Sequence, residues 1–256
     1  MSLDDRRVAL LREMGLTAWV LRRADAATLP PAFHVAEPTG PDPASEEAPR
    51  APETPLPRGT RPSGVEQMDW PTLRAAVAGC RACALCESRH HTVFGVGHEQ
   101  AHWMIVGEAP GEHEDRQGEP FVGQAGRLLD NMLRAIGLTR QPAPPAQQVY
   151  ICNVLKCRPP GNRNPTPQEV AQCEPFLKRQ VALVKPRIIL AMGRFAAQSL
   201  LRSDEPIGRL RGRVHDYEGV PVIVTYHPAY VLRNLTEKAK SWEDLCLALD
   251  TLQTRA

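Results

Sequence analysis

Three polar residues stand where a chain of short apolar runs breaks off. Glu108 follows Trp103–Val106, Asn153 lies at the end of Val149–Val154, and His227 follows Val220–Tyr226. A carboxylate, an amide and an imidazole make a set able to read a flat polar ligand and to manage charge or protons during bond cleavage. The stretch after the first run, GEAPGEHEDRQGEPFVGQAG from Gly107 to Gly126, carries five glycines and also Glu108, Glu112, Glu114, Asp115 and Glu119. Glycine-rich loops often cradle phosphate, but this one is acidic and lacks the G-x4-G-K-[ST] pattern, which argues against a nucleotide hydrolase. Glu112, Asp115 and Glu119 read as a solvated acidic face.

A second chemical feature is sulfur. Cys80, Cys83 and Cys86 are spaced two residues apart, and Cys157 and Cys173 lie beyond them. A C-x2-C turn brings two thiolates to one metal. Cys157 opens a proline-rich loop, and Cys173 falls about a turn into a capped helix, so a fold-back would supply the remaining ligands. The spacing alone leaves zinc and a [4Fe–4S] cluster both open. Cys152 and Cys246 sit in apolar stretches and read as buried small hydrophobes. Seven cysteines in a chain of 256 residues point to reduced thiols or a metal site rather than a disulfide framework.

The elements that must position these groups alternate. Trp103–Val106, Val149–Val154, Arg187–Ala191 and Val220–Tyr226 read as strands. Between and after them come helical patterns. Leu128 to Ile136 form an apolar stripe stopped by Gly137. Thr166-Pro167-Gln168-Glu169 is a capping box opening a helix to about Val184, and Phe195–Leu201 and Trp242–Leu252 supply two more. Asp69 is a candidate N-cap for a helix from Trp70 to Gly79. The alternation predicts an α/β fold: a three-layer α/β/α sandwich on a short, mainly parallel four-stranded sheet. In such sheets ligands bind outside the carboxyl ends of the strands, which is where Glu108, Asn153 and His227 fall.

Upstream, residues 3–22 carry a short helical pattern, and ten of the chain's 25 prolines lie between Pro30 and Pro62. The expected division is a helical extension over 1–28, a proline-rich linker over 29–66 and a folded domain over 67–256. A docking peptide around Leu10 to Leu21 is the sharper reading of the extension; a dispensable tail is the plainer one. Net charge is only +2, so any nucleic-acid surface must come from local clusters such as Arg209, Arg211 and Arg213. No apolar run is long enough to span a membrane and no signal-peptide pattern is present, which predicts a cytoplasmic protein.

The motifs GCRAC, VGEAPGEHEDRQGEPFVGQAG, YICNVLKCRPPGNRNPTPQE with the following Cys173, and YHPAYVLRN occur in an order that resembles the family 4 uracil-DNA glycosylases, iron–sulfur members of the uracil-DNA glycosylase superfamily. The resemblance covers about residues 70 to 255, and it makes a repair or replication partner the expectation for the N-terminal extension. It implies a monomeric enzyme that flips uracil out of single- or double-stranded DNA and hydrolyses its N-glycosidic bond, leaving an abasic site. It implies a [4Fe–4S] cluster on Cys80, Cys83, Cys157 and Cys173. Phe121 becomes the wall stacking on uracil, Asn153 the amide reading its edge and His227 the catalytic histidine. Gly107, Ala109 and Gly111 line the base. Glu108 would orient water or stabilise a cationic sugar, and Glu114 would exclude the thymine methyl. Ala109 stands where the best-known branch has an activating aspartate. Val231 is the expected wedge into the base stack, and Arg158, Arg163, Arg211 and Arg233 the expected phosphate contacts. A non-turnover or covalent uracil-DNA-binding relative of the same fold is the competing expectation, although the histidine-bearing insertion of the covalent branch has no counterpart in CRPPGNRNPTPQE.

Overall fold

The computed structural model describes residues 61–254. The helical pattern at 3–22 and the linker up to residue 60 lie outside the described residues. Val65, which the sequence reading places in the linker, is 2% exposed and packs with Leu73, Val77 and Phe176.

Six strands form one sheet: β1 (Val96–Gly97), β2 (Trp103–Gly107), β3 (Tyr150–Asn153), β4 (Ile188–Met192), β5 (Val214–Tyr217) and β6 (Val220–Thr225), in the order β1-β3-β2-β4-β6-β5. The four strands expected from sequence are the parallel centre; β1 and β5 add antiparallel edges. The expected count of four is therefore corrected to six. The edges escape an apolar-run reading for physical reasons. β1 has two residues, and β5 (Val-His-Asp-Tyr) is only partly covered. Glu218 and Gly219, both at positive φ, form the tight hairpin turn that pins β5 to β6.

The helices are α1 (Trp70–Ala78), α2 (Leu85–Ser88), α3 (Glu112–Gln117), α4 (Gln124–Ala135), α5 (Pro167–Val184), α6 (Arg194–Leu201), α7 (Ile207–Leu210), α8 (Pro228–Arg233) and α9 (Lys238–Thr254). Successive strand residues point to opposite faces and so build two cores. Met104, Cys152, Ala191 and Val224 meet α5 and α6 on one face. Trp103, Ile105, Leu190 and Ile223 meet Leu129 and Leu133 of α4 and Leu245 and Ala248 of α9 on the other. This is the expected three-layer α/β/α sandwich. No helix among the described residues is long and apolar enough to cross a membrane.

The local signals explain the helix bounds. Asp69 caps α1 by accepting from the Thr72 amide at 3.0 Å, and Pro71 occupies its first turn. At α5, Thr166 and Glu169 exchange both bonds of the capping box, and Glu169 also grips Arg163. Helix α3 was not legible as a helix. It lies in the glycine-rich stretch with no side-chain cap, favoured instead by Glu112, Glu114 and Asp115 in its first turn, where carboxylates offset the helix dipole, and ended by Gly118 at φ 75°.

Thr166→Ala removes one half of the capping box. We expect it to lower the unfolding free energy by about 1 kcal/mol, read as a shift of the urea midpoint followed by circular dichroism.

Candidate active site

The carboxyl ends of the four parallel strands open into one cleft of about 750 Å³. Strand β2 is the switch point, with β3 on one side and β4 and β6 on the other. Glu108, Glu114, Phe121, Asn153 and His227 all line the cleft, as do Ala109 and Gly111. The expected set is thus brought together.

Its centre is built on Gly107, the last residue of β2 and the register partner of Asn153. A Cβ at Gly107 would fall 2.3 Å from Asn153 Oδ1 and 2.7 Å from Phe121 Cζ. Only a residue without a side chain lets the ring and the amide both lie against the strand end. Phe121 is buried and held in the left-handed region at φ 54°, which is costly for an aromatic residue. Two features hold it there. Gly126 lets the first turn of α4 close on the Phe121 carbonyl, where a Cβ would clash. Arg140 donates to Pro120 O at 3.2 Å, and its Nε is itself held by Asp130 at 2.6 Å.

Asn153 is 2% exposed, and its Oδ1 is buried with no hydrogen-bond partner. Buried amide oxygens are normally paired, so this acceptor is set for a ligand donor. Glu114 Oε1 accepts from Val122 N at 3.2 Å, and a Cβ at Gly111 would fall 2.7 Å from its Oε2. Gly111 thereby lets that carboxylate turn in beside the loop.

His227 is the N-cap of α8. Its Nδ1 accepts from the Ala229 amide at 3.2 Å, so in the neutral ring the proton resides on Nε2. The ring stacks on Phe121 with centroids 5.3 Å apart and planes 24° apart. Burial, with a further push from Arg233, lowers its pKa to about 4, leaving a neutral imidazole with one donor. Burial acts oppositely on Glu108, raising its pKa to about 7 against the pull of Arg194.

Some sequence expectations need correcting. Asp115 is not solvated: it is fully buried and accepts from the His90 backbone amide at 3.0 Å and pairs with His90 Nδ1 at 2.7 Å. It staples the segment after the cysteine turn to α3. Val231 is 1% exposed and packed, because α8 turns it inward; the outward neighbours are Tyr230 and Leu232, at 38% and 36%. Arg211 is a brace: it bonds Asp244 Oδ2 at 2.7 Å and Lys240 O, and lies over the Tyr226 ring. Arg163 is gripped by Glu169 and also lines the cleft, while Arg158 is held by Asn162 and Glu112. Arg233 lines the cleft, and so does Arg194, which sequence reading passed over. Its signal was available: it begins the helix after β4, at the same edge of the sheet as Glu108 and His227.

The cysteines gather elsewhere. Cys80, Cys83, Cys86, Cys157 and Cys173 line one small void behind the Asn153 turn, and all are free thiols. Among the described residues no three ligand-type side chains meet at a single-ion site. The thiols share that void with Arg89 and Lys156. Arg89 Nη1 donates to Cys157 Sγ at 3.0 Å, a contact that favours thiolate. Burial without metal pushes Cys157 up to about 11 and Cys173 up to about 12. Cys86 shares the void, while Cys152 is buried in the core and Cys246 only half-buried.

Residues 94–247 match the model of the uracil DNA glycosylase superfamily, and the chain belongs to that superfamily. Within it, the chain is similar to type-4 uracil-DNA glycosylases. It is 48% identical to that of Archaeoglobus fulgidus over 164 residues, covering 61% of this chain and 79% of the relative. It is 43% identical to that of Thermotoga maritima, covering 64% and 83%, and 40% identical to that of Pyrobaculum aerophilum, covering 70% and 93%.

His227 provides a direct check on the site's polarity. In an NMR titration its ring should stay neutral down to a midpoint of about 4. Because the unfolded ring takes up its proton near 6.5, folded stability from this group should fall as pH drops from about 6.5 toward 4.

Proposed function

We propose that the protein is a DNA-repair uracil-DNA glycosylase that hydrolyses the N-glycosidic bond of a flipped uracil. Family membership supports the class. The observation that carries the assignment to uracil is the unpartnered Oδ1 of Asn153 beside the Phe121 ring. Uracil offers a flat face to the ring, its N3–H to Oδ1 and its O4 to the amide NH2. Cytosine offers an acceptor at N3 and a donor at the 4-position, so both contacts would be mismatched, at a cost of about 1–3 kcal/mol per buried group.

Bond cleavage leaves charge on both fragments. The neutral His227 ring donates from Nε2 to uracil O2 as it becomes anionic. A donor preset in a dry site is worth about 3 kcal/mol in a transition state. Glu108, when ionised, offsets the oxocarbenium character of the sugar and orients water. Ala109 contributes no carboxylate, so water is not activated from that position. Glu114, held between Val122 N and Gly111, excludes the thymine methyl. Arg233 and Arg194 meet phosphates at the cleft mouth. Tyr230 and Leu232, as the exposed apolar pair, fill the gap left by the flipped base in place of Val231.

The thiol void supports a [4Fe–4S] cluster held by Cys80, Cys83, Cys157 and Cys173. Its contribution when bound is structural: it braces the Cys157–Pro165 loop next to the cleft.

Purified protein should release uracil from single- and double-stranded DNA without added metal, and Asn153→Ala should reduce release by at least about tenfold, the worth of one buried hydrogen bond. A chain that binds uracil-DNA without turnover, or leaves an adduct on a denaturing gel, would overturn the reading in favour of a trapping relative. The single-turnover rate should rise with pH through about 7 as Glu108 ionises, and Glu108→Gln should abolish that rise.

A further inference from the structure

Behind the base-reading amide lies a buried amine with no part in the scheme above. Lys156 is 1% exposed, and its Nζ donates to the Asn153 carbonyl at 2.6 Å and to Gln180 Oε1 at 2.6 Å. Gln180 is wholly buried in α5, and its Nε2 donates to Phe94 O at 2.9 Å and to the Tyr150 hydroxyl at 3.0 Å. Tyr150 opens β3, the strand that Asn153 ends. The chain therefore closes a ring of polar contacts inside its apolar core, running from the strand's end through Lys156 and Gln180 to its start.

Burying a lysine is expensive, and a leucine or methionine would fill this space without that cost. The contact explains what is gained. The backbone of Asn153 leaves the sheet here. Its neighbours are tied by Val154 N to Gly107 O and Leu155 N to Glu108 O, and among the side-chain hydrogen bonds of the described residues Lys156 supplies the one to the Asn153 carbonyl. The amide side chain projects from that same Cα. Its Oδ1 has no partner to fix it, so its direction is inherited from the backbone.

The geometry points to Lys156 as a positioning residue for Asn153: by clamping the Asn153 carbonyl to Gln180 it fixes the peptide from which the base-reading amide projects. This rests on Asn153 being the reader of uracil. Lys156 touches neither base nor sugar, and it acts on selectivity by holding the amide in the orientation that uracil fits and cytosine does not. It also stands one residue before Cys157, so the same clamp sets the spacing between the reading amide and the thiol void.

Lys156→Met keeps length and apolar bulk while deleting both donors. In the full chain with its iron content measured, we expect unchanged far-ultraviolet dichroism and unchanged iron per protein. Uracil release should fall by about tenfold, the worth of a buried hydrogen bond. Inhibition by free uracil should weaken, and the preference for uracil over cytosine in DNA should shrink. A merely structural lysine would lower the melting temperature and leave the last two untouched, and that result would overturn the proposal. Should K156M not fold, Gln180→Met decides. It leaves the Asn153 contact but frees its far anchor, so preference for uracil should fall severalfold, and wild-type preference would refute the clamp. A wild-type chain that binds free uracil without releasing it from DNA would sink the glycosylase reading alone, since weaker uracil binding by K156M would still report on Lys156.

Discussion

The missing side chain at Gly107 is the constraint on which the cleft depends. An aromatic ring and an amide occupy the space a Cβ would need, one reaching back from a loop and the other across from the next strand. Everything around them serves that double approach. The left-handed Phe121, the closeness permitted by Gly126, and the Arg140 anchor on Pro120 are costs and supports of bringing the ring home. Parallel pairing of β2 and β3 brings Asn153 level with Gly107. The sheet supplies the alignment, and the loops supply the walls.

One physical cause, burial, then tunes the two titrating groups in opposite senses. It keeps His227 uncharged, so that the ring donates through Nε2 while α8 occupies its other nitrogen. It keeps the Glu108 proton until about neutrality. The two also act oppositely on stability: across the lower pH range His227 favours the fold as pH rises, whereas Glu108 favours it as pH falls toward 4.5. The cleft therefore stays close to uncharged at these positions through mildly acidic conditions, although its loop is rich in carboxylates.

Much of this was legible in the chain itself, because the central strands are continuous apolar runs and their ends carry the unusual polar residues. Glu108, Asn153 and His227 declare themselves by residue type at strand ends, whereas Gly107 and Phe121 take their roles from the family resemblance. The capping box at Thr166 and the N-cap at Asp69 were likewise written locally. What was not legible depends on which way a side chain turns. Val231, Tyr230 and Leu232 are three consecutive residues, and only the rotation of α8 decides that the middle one packs. Asp115 looks like its acidic neighbours until a backbone 25 residues earlier is found resting on it. Arg211 looks like a surface cation until α9 brings Asp244 to it. The edge strands were hidden for a different reason: pairing with a neighbour, rather than an apolar run, makes them strands.

Arg89 and His90 are adjacent, and they face different ways. Arg89 bonds the Cys157 sulfur, while His90 rests its amide and ring on Asp115, the buried foot of the helix that carries Glu114. One peptide bond therefore separates the sulfur chemistry from the base-binding loop. Whatever displaces Arg89 from the thiol void therefore pulls, one residue later, on the staple that seats the Glu114 helix, without touching a residue of the cleft.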